Sequence, residues 1–165
     1  ATMAGTLGLI HGSGLAHCDL KPANIVMSPG RVVLLDFGIV RIEQLRGADR
    51  LVTGSPHYMA PESIRAAVKS GEAHLVDLYA LGVIAFVLLT GRPPFDHNDP
   101  LELMMQHIEK PAPRVSVFRP DVPPRLERLV ASLLEKDPHD RPSAIEEVEI
   151  ELKQVAASPS AAAAK

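Results

Sequence analysis

The residues best suited to chemistry stand in two short runs, His17-Cys18-Asp19-Leu20-Lys21-Pro22-Ala23-Asn24 and Asp36-Phe37-Gly38. Together they supply two carboxylates, a primary amine and a side-chain amide. Asp19 and Asn24 are five residues apart, and Asp36 lies twelve residues beyond Asn24. Phosphoryl transfer asks for such a set: a carboxylate beside the attacking hydroxyl, hard oxygen ligands for Mg²⁺, and a cation near the developing charge. Taken singly, Asp19 reads equally well as a turn residue and Asp36 as a helix cap or solvated acid. The joint spacing is what points to the chemistry.

The surrounding elements must hold these groups together. Ile25-Val26-Met27 and Val32-Val33-Leu34-Leu35 flank Ser28-Pro29-Gly30-Arg31, two β-branched runs about turn residues, which predicts a β-hairpin with Asn24 at its entry and Asp36 at its exit. Upstream, Thr2 to about Ile10 reads as the end of a helix broken at Gly12 and Gly14. Gly12-Ser13-Gly14 lies between that helix and the acidic loop, where it reads as a turn rather than a phosphate cradle. Residues 39–56 carry Arg41, Arg46, Asp49 and Arg50 without apolar periodicity and read as a mobile loop.

The rest is helical in pattern. Leu75 to Thr90 is almost wholly apolar apart from Asp77, too short and too acidic at its start for a membrane span, so it predicts a buried core helix. Gly91 stops it and Pro93-Pro94 prevent its return. Asp99 or Pro100 starts a helix reaching about Glu109. Pro124 starts another, with Leu126, Leu129, Val130, Leu133 and Leu134 on one face. Ser143 and Glu146 have capping-box spacing before the last helix. Pro111 to Pro123 is irregular, and Ser158-Pro159-Ser160 with the alanines and Lys165 is low-complexity and expected to be disordered. The expected class is α+β and mostly α-helical, with one domain over residues 1–157 and a tail over 158–165. There are no internal repeats.

Composition bounds the function. A chain of 165 residues with 46% hydrophobic and 22% charged residues can bury one ordinary core. Net charge is −3, and the basic residues are scattered, so no nucleic-acid footprint is present. One cysteine excludes an internal disulfide framework; with no secretory signal at the start, a reducing, cytoplasmic setting is expected. No membrane segment is expected in this sequence. Seven histidines lack any ligand spacing for zinc.

Six motifs in order resemble the protein-kinase superfamily: the two runs above, then Thr53-Gly54-Ser55-Pro56-His57-Tyr58-Met59-Ala60-Pro61-Glu62, Asp77-Leu78-Tyr79-Ala80-Leu81-Gly82, Gly91-Arg92-Pro93-Pro94-Phe95 and Asp137-Pro138-His139-Asp140-Arg141-Pro142. Lys21-Pro22 looks like the serine/threonine type. The match runs from about residue 5 to about residue 155 and resembles the larger, C-terminal lobe, with its small β-hairpin by the catalytic loop. The Gly-rich loop, strand lysine and helix glutamate of the family's first lobe have no counterpart in this sequence, so that lobe is expected in cis or has been lost.

The resemblance implies roles. Asp19 would accept or orient the proton of a substrate Ser or Thr hydroxyl, and Lys21 would lie near the transferring γ-phosphoryl of ATP. Asn24 and Asp36 would hold Mg²⁺. Thr53, Gly54 and Ser55 would belong to the activation segment facing a protein substrate. His17 would be a buried scaffold residue, Asp77 would hydrogen-bond the catalytic-loop backbone, and Glu62 and Arg141 would pair, so that losing either costs several kcal/mol.

Cys18 departs from the family pattern. Most relatives switched by phosphorylation carry Arg there, and a thiol cannot make that residue's bidentate phosphate contact. This resembles the non-RD kinases, although Arg41, Arg46 or Arg50 could still meet a phosphate on Thr53. Cys18 itself reads better as an inert buried thiol than as a redox sensor. Two other readings stay open: a non-catalytic binding or regulatory module, against which intact Asp19, Asn24 and Asp36 speak, and a small-molecule phosphotransferase, against which Lys21-Pro22, Ala60-Pro61-Glu62 and Asp140-Arg141-Pro142 speak. Without the first lobe's lysine–glutamate pair, this chain alone is expected to be inactive.

Overall fold

A computed structural model describes residues 2–29, 31–36 and 55–157. Helix α1 spans Met3–Gly12, two residues beyond the expected end, and Thr2 caps its first turn by accepting from the Gly5 amide at 3.1 Å. Gly14, at φ +72°, then reverses the chain, its amide bonded to the His11 carbonyl at 2.9 Å. Ser13 and Gly14 form the expected turn, whereas Gly12 is still the last residue of α1. Strands β1 (Ile25–Ser28) and β2 (Arg31–Leu34) pair antiparallel, with Ile25 opposite Leu34 and Ser28 opposite Arg31. Val32 and Leu34 point into the core, while Met27 on the other strand is exposed.

Among the described residues, the helices after the hairpin are α2 (Pro61–Ile64), α3 (Ala73–Thr90), α4 (Pro100–Glu109), α5 (Pro124–Leu133) and α6 (Ile145–Ala157). The punctuation works as its chemistry dictates. Gly91 ends α3 in the left-handed region at φ +75°, its amide reaching the Val87 carbonyl at 2.8 Å. Asp99 caps α4 through its side chain, and Pro100 and Pro124 occupy first-turn positions where a missing N–H does no harm. The single turn α2 was not expected.

Helix α3 organises the molecule. By length and composition alone it could cross a membrane, with a mean hydropathy of 2.0, yet 56% of it is buried within the protein. Leu75, Leu78, Ala80 and Ile84 pack with Ala4 and Leu7 of α1, Leu34 of β2, Leu129 and Leu133 of α5, and Ile145 and Val148 of α6. Val76, Tyr79, Val83 and Phe86 pack on Ala60, Val115, Val122, Val130 and Leu134. Each Leu, Ile, Val or Phe side chain so withdrawn from water contributes about 1.5–3 kcal/mol, which offsets chain entropy rather than adding to a large surplus. Gly82 sets how closely α3 and α5 approach: a Cβ there would lie 2.7 Å from the Leu133 Cβ and 3.2 Å from its carbonyl carbon.

One cap differs from expectation. Helix α6 begins at Ile145, not directly after Ser143. The Ser143 hydroxyl bonds the Glu147 carboxylate instead of closing a box with Glu146, and its carbonyl meets His74 Nε2 at 3.1 Å. Glu146 is turned toward α1, with its carboxylate beside Gly8. The expected loop over residues 39–56 lies almost wholly outside the described residues, as does the tail over 158–165.

Candidate active site

The loop between α1 and β1 is fastened from below by Asp77, near the start of α3. Its fully buried carboxylate accepts the His17 amide at Oδ2 and the Cys18 amide at Oδ1, both at 2.8 Å. These bonds hold Cys18 at φ +61°, a conformation that disfavours a non-glycine residue by about 1–2 kcal/mol. Asp77 thus hydrogen-bonds two consecutive backbone amides of the loop.

His17 is also fully buried. Its Nε2 lies 3.0 Å from the Leu35 carbonyl, and the Asp19 amide points at its Nδ1 at 3.4 Å. With both nitrogens engaged by backbone, it links the loop to the residue before Asp36. That suits a scaffold residue and not a base.

Above this frame the polar groups converge. Lys21 Nζ lies 2.7 Å from Asp19 Oδ2, and both side chains are one-quarter exposed. Asn24 Nδ2 donates to the Asp19 carbonyl at 2.9 Å and to Asp19 Oδ2 at 3.3 Å. Its amide nitrogen is thereby spent on the loop, which leaves the amide oxygen as its acceptor for a cation. The Leu35 amide bonds the Asn24 carbonyl at 2.8 Å, so the hairpin register sets Asp36 one residue beyond the partner of Asn24. Asp36 is exposed, at φ +48°. The donor set of Asn24 and Asp36 is all hard oxygen, which fits Mg²⁺.

Ser55 shares the wall of a small cavity, about 20 Å³, with Cys18, Asp19, Tyr58 and Ser63, which brings Ser55 near Asp19. Thr53 and Gly54 lie outside the described residues, as do Arg41, Arg46 and Arg50. Burial, and secondarily the Asp77 charge, push the Cys18 thiol up to about 12, so it is a neutral, poor nucleophile at ordinary pH.

The pair expected between Glu62 and Arg141 is present as well. Arg141 and Glu62, both buried, form a two-bond fork, and Arg141 also donates to the carbonyls of Leu75 at 2.8 Å and Glu135 at 2.9 Å. A charge in this setting is tolerable because the guanidinium's N–H donors are engaged on every nitrogen, and it lies 4.9 Å from the Tyr79 ring.

The sequence matches the protein kinase domain family over residues 1–152. This chain belongs to the protein kinase family. It is 37% identical over 158 residues to the serine/threonine-protein kinase pkn3 of Myxococcus xanthus, a match covering 88% of this chain and 28% of that protein. It is 35% identical to PknL of Mycobacterium tuberculosis, covering 83% and 34%, and 32% identical to PrkC of Bacillus subtilis, covering 87% and 22%. The kinase chain thus spans about a quarter to a third of the length of the curated relatives it matches. These relatives are named serine/threonine-protein kinases, in line with the type read from Lys21-Pro22.

Two histidines escaped the sequence reading. His11, on the last turn of α1, places Nε2 2.9 Å from Asp77 Oδ2. His107, in α4, is fully buried with Nδ1 2.9 Å from the Tyr79 hydroxyl. A lone histidine in an apolar helix carries no local signal, because its partner lies far away in sequence.

Proposed function

We propose that this kinase chain is the C-terminal lobe of a serine/threonine protein kinase that transfers the γ-phosphoryl of ATP to Ser or Thr hydroxyls of proteins. The observation that carries the proposal is the Asp19–Lys21–Asn24 constellation, three functional groups tied within hydrogen-bond distance on a loop anchored to the core.

Asp19 orients the substrate hydroxyl and accepts its proton as the new O–P bond forms and the bond to ADP breaks. Lys21, already paired to Asp19, offsets charge on the transferring group. Asn24 and Asp36 would hold Mg²⁺, which when bound neutralises charge on the β- and γ-phosphates. Ser55 borders the place where the acceptor hydroxyl must enter.

A second lobe, in cis or lost, would complete the nucleotide site, because no residues of this sequence match the lysine–glutamate pair that grips ATP in this family. Leu15, Val26, Met27 and Leu35, all exposed and all next to the polar loop in sequence, are apolar residues such a lobe would cover. The free thiol fits a reducing, cytoplasmic compartment.

Radiolabelled ATP tests the reading directly. The full-length gene product should label a Ser/Thr-containing protein acceptor such as casein, and its Asp19→Asn variant should not. Labelling that survives in Asp19→Asn would remove Asp19 from its role, and a full-length product that fails to label would sink the catalytic reading.

A further inference from the structure

A cleft of about 250 Å³ opens between α5 and the irregular segment that follows α4. Val115, Val130 and Leu134, each buried against the core, form its floor, with Pro111 and Pro113 on one wall and Ala131 of α5 on the other. No lining side chain is aromatic. The volume lies below the roughly 300–1,000 Å³ of sites that take drug-sized ligands, so the cleft suits a smaller, aliphatic body.

Its charges are unbalanced. Arg114, Arg128 and Lys136 line the cleft, and none of the three forms an ion pair among the described residues. Of the two acids beside them, Glu127 is already spent, because its Oε1 accepts the Ser116 amide at 2.8 Å. Only Glu135 is left to oppose three cations.

Lys136 fixes where an anion would sit. Pro111 has no N–H to offer back to the His107 carbonyl near the end of α4, and Lys136 Nζ takes that place at 2.7 Å. The ammonium is thereby pinned where α4 gives way to Pro111, with the Phe95 ring 4.3 Å away. Burial first, then Arg141, push Lys136 down to about 8; Arg65 acts in the same direction and Glu135 alone against it. A half-buried cation in a positive field, without a counter-ion, attracts an anion more strongly than the same charge in open water.

We propose that this cleft binds a medium-chain aliphatic carboxylate, its chain laid on Val115, Val130 and Leu134 and its carboxylate held by Lys136 with Arg114 and Arg128. The inference stands independently of the kinase reading.

Octanoate is the probe and 1-octanol its neutral counterpart, each titrated into the methyl-labelled chain and followed by NMR. Octanoate should shift the Val115, Val130 and Leu134 methyls saturably, with a Kd of about 1 mM or tighter, and 1-octanol should bind at least about tenfold more weakly. Lys136→Met, which keeps the stem and removes the charge, should weaken octanoate at least about tenfold and leave 1-octanol unchanged. That variant strips the His107 carbonyl of its donor. If it does not fold, two surface variants decide: Arg114→Gln combined with Arg128→Gln should weaken octanoate at least about threefold, and Ala131→Trp, at an exposed position, should block both probes. No saturable shift, shifts confined to other methyls, or equal binding of octanoate and 1-octanol overturns the proposal. So does octanoate binding that survives Lys136→Met or Ala131→Trp unchanged.

Discussion

Glu62 and Arg141, 79 residues apart, meet in two parallel hydrogen bonds of 2.7 and 2.8 Å in a site closed to water. The fork ties the start of α2 to the segment before α6. Breaking such a pair costs far more than the intact pair contributes to net stability, because one charge is left behind in the interior. Arg141→Met would leave the Glu62 carboxylate buried without its donor. We expect a loss of about 3–5 kcal/mol, measured as a lower urea midpoint at unchanged m-value. Adding Glu62→Leu to that variant should recover part of the loss, since both charges are then gone.

Gly82 makes a second, steric prediction. Gly82→Ala places a methyl within 2.7 Å of the Leu133 Cβ. Because the obstruction is a Cβ and backbone rather than a flexible tip, α3 and α5 must separate. Destabilisation of about 1–3 kcal/mol is expected. Leu133→Ala should not relieve it, because alanine keeps the offending Cβ. A Gly82→Ala protein as stable as the parent in thermal unfolding would show that the helices can part freely.

Acid and base act through different groups. Burial, then the charges of Lys136 and His57, push His107 down to about 3 from its ordinary 6.5. The unfolded chain therefore binds a proton that the folded chain refuses, and stability should fall as pH drops from about 6.5 toward 3. Lys136 is pushed down to about 8, chiefly by burial and next by Arg141. By the same sign it favours folding as pH rises from about 8 to 10.5. The Cys18 thiol, raised to about 12 from 9.0, acts oppositely and weakens the fold as pH rises above 9. His107→Gln should flatten the acid limb of a stability–pH profile; an unchanged limb would clear His107 of responsibility.

The isolated chain should bind Mg-ATP weakly or not at all, while the full-length Asp19→Asn kinase should bind it nearly as the parent does. Calorimetry on both separates nucleotide grip from chemistry. Tight binding by the lone chain would mean that the residues here suffice without a second lobe.

Much of this was legible in the sequence because it is written locally. Gly91, Asp99-Pro100 and Pro124 mark helix ends through their own backbone chemistry, and the hairpin needed only β-branched runs about Ser28-Pro29. The polar loop was legible through spacing. What escaped depends on partners distant in the chain. Ser143 reads as a cap beside Glu146, but its carbonyl is held by His74. His11 looks like any residue near a helix end until Asp77, 66 residues on, is placed beside it. His107 is explained only by Tyr79 and by Phe95, whose ring lies 4.9 Å away.

Helix α3 is sealed by hydrophobic clusters on two flanks, and it carries Asp77 near its first turn. The loop that carries Asp19 adds only Leu20 to these clusters and takes its stiffness from α3. Warming should therefore not loosen the loop ahead of the protein. Loss of the loop's geometry and collapse of the whole fold should fall at one temperature, as a single event.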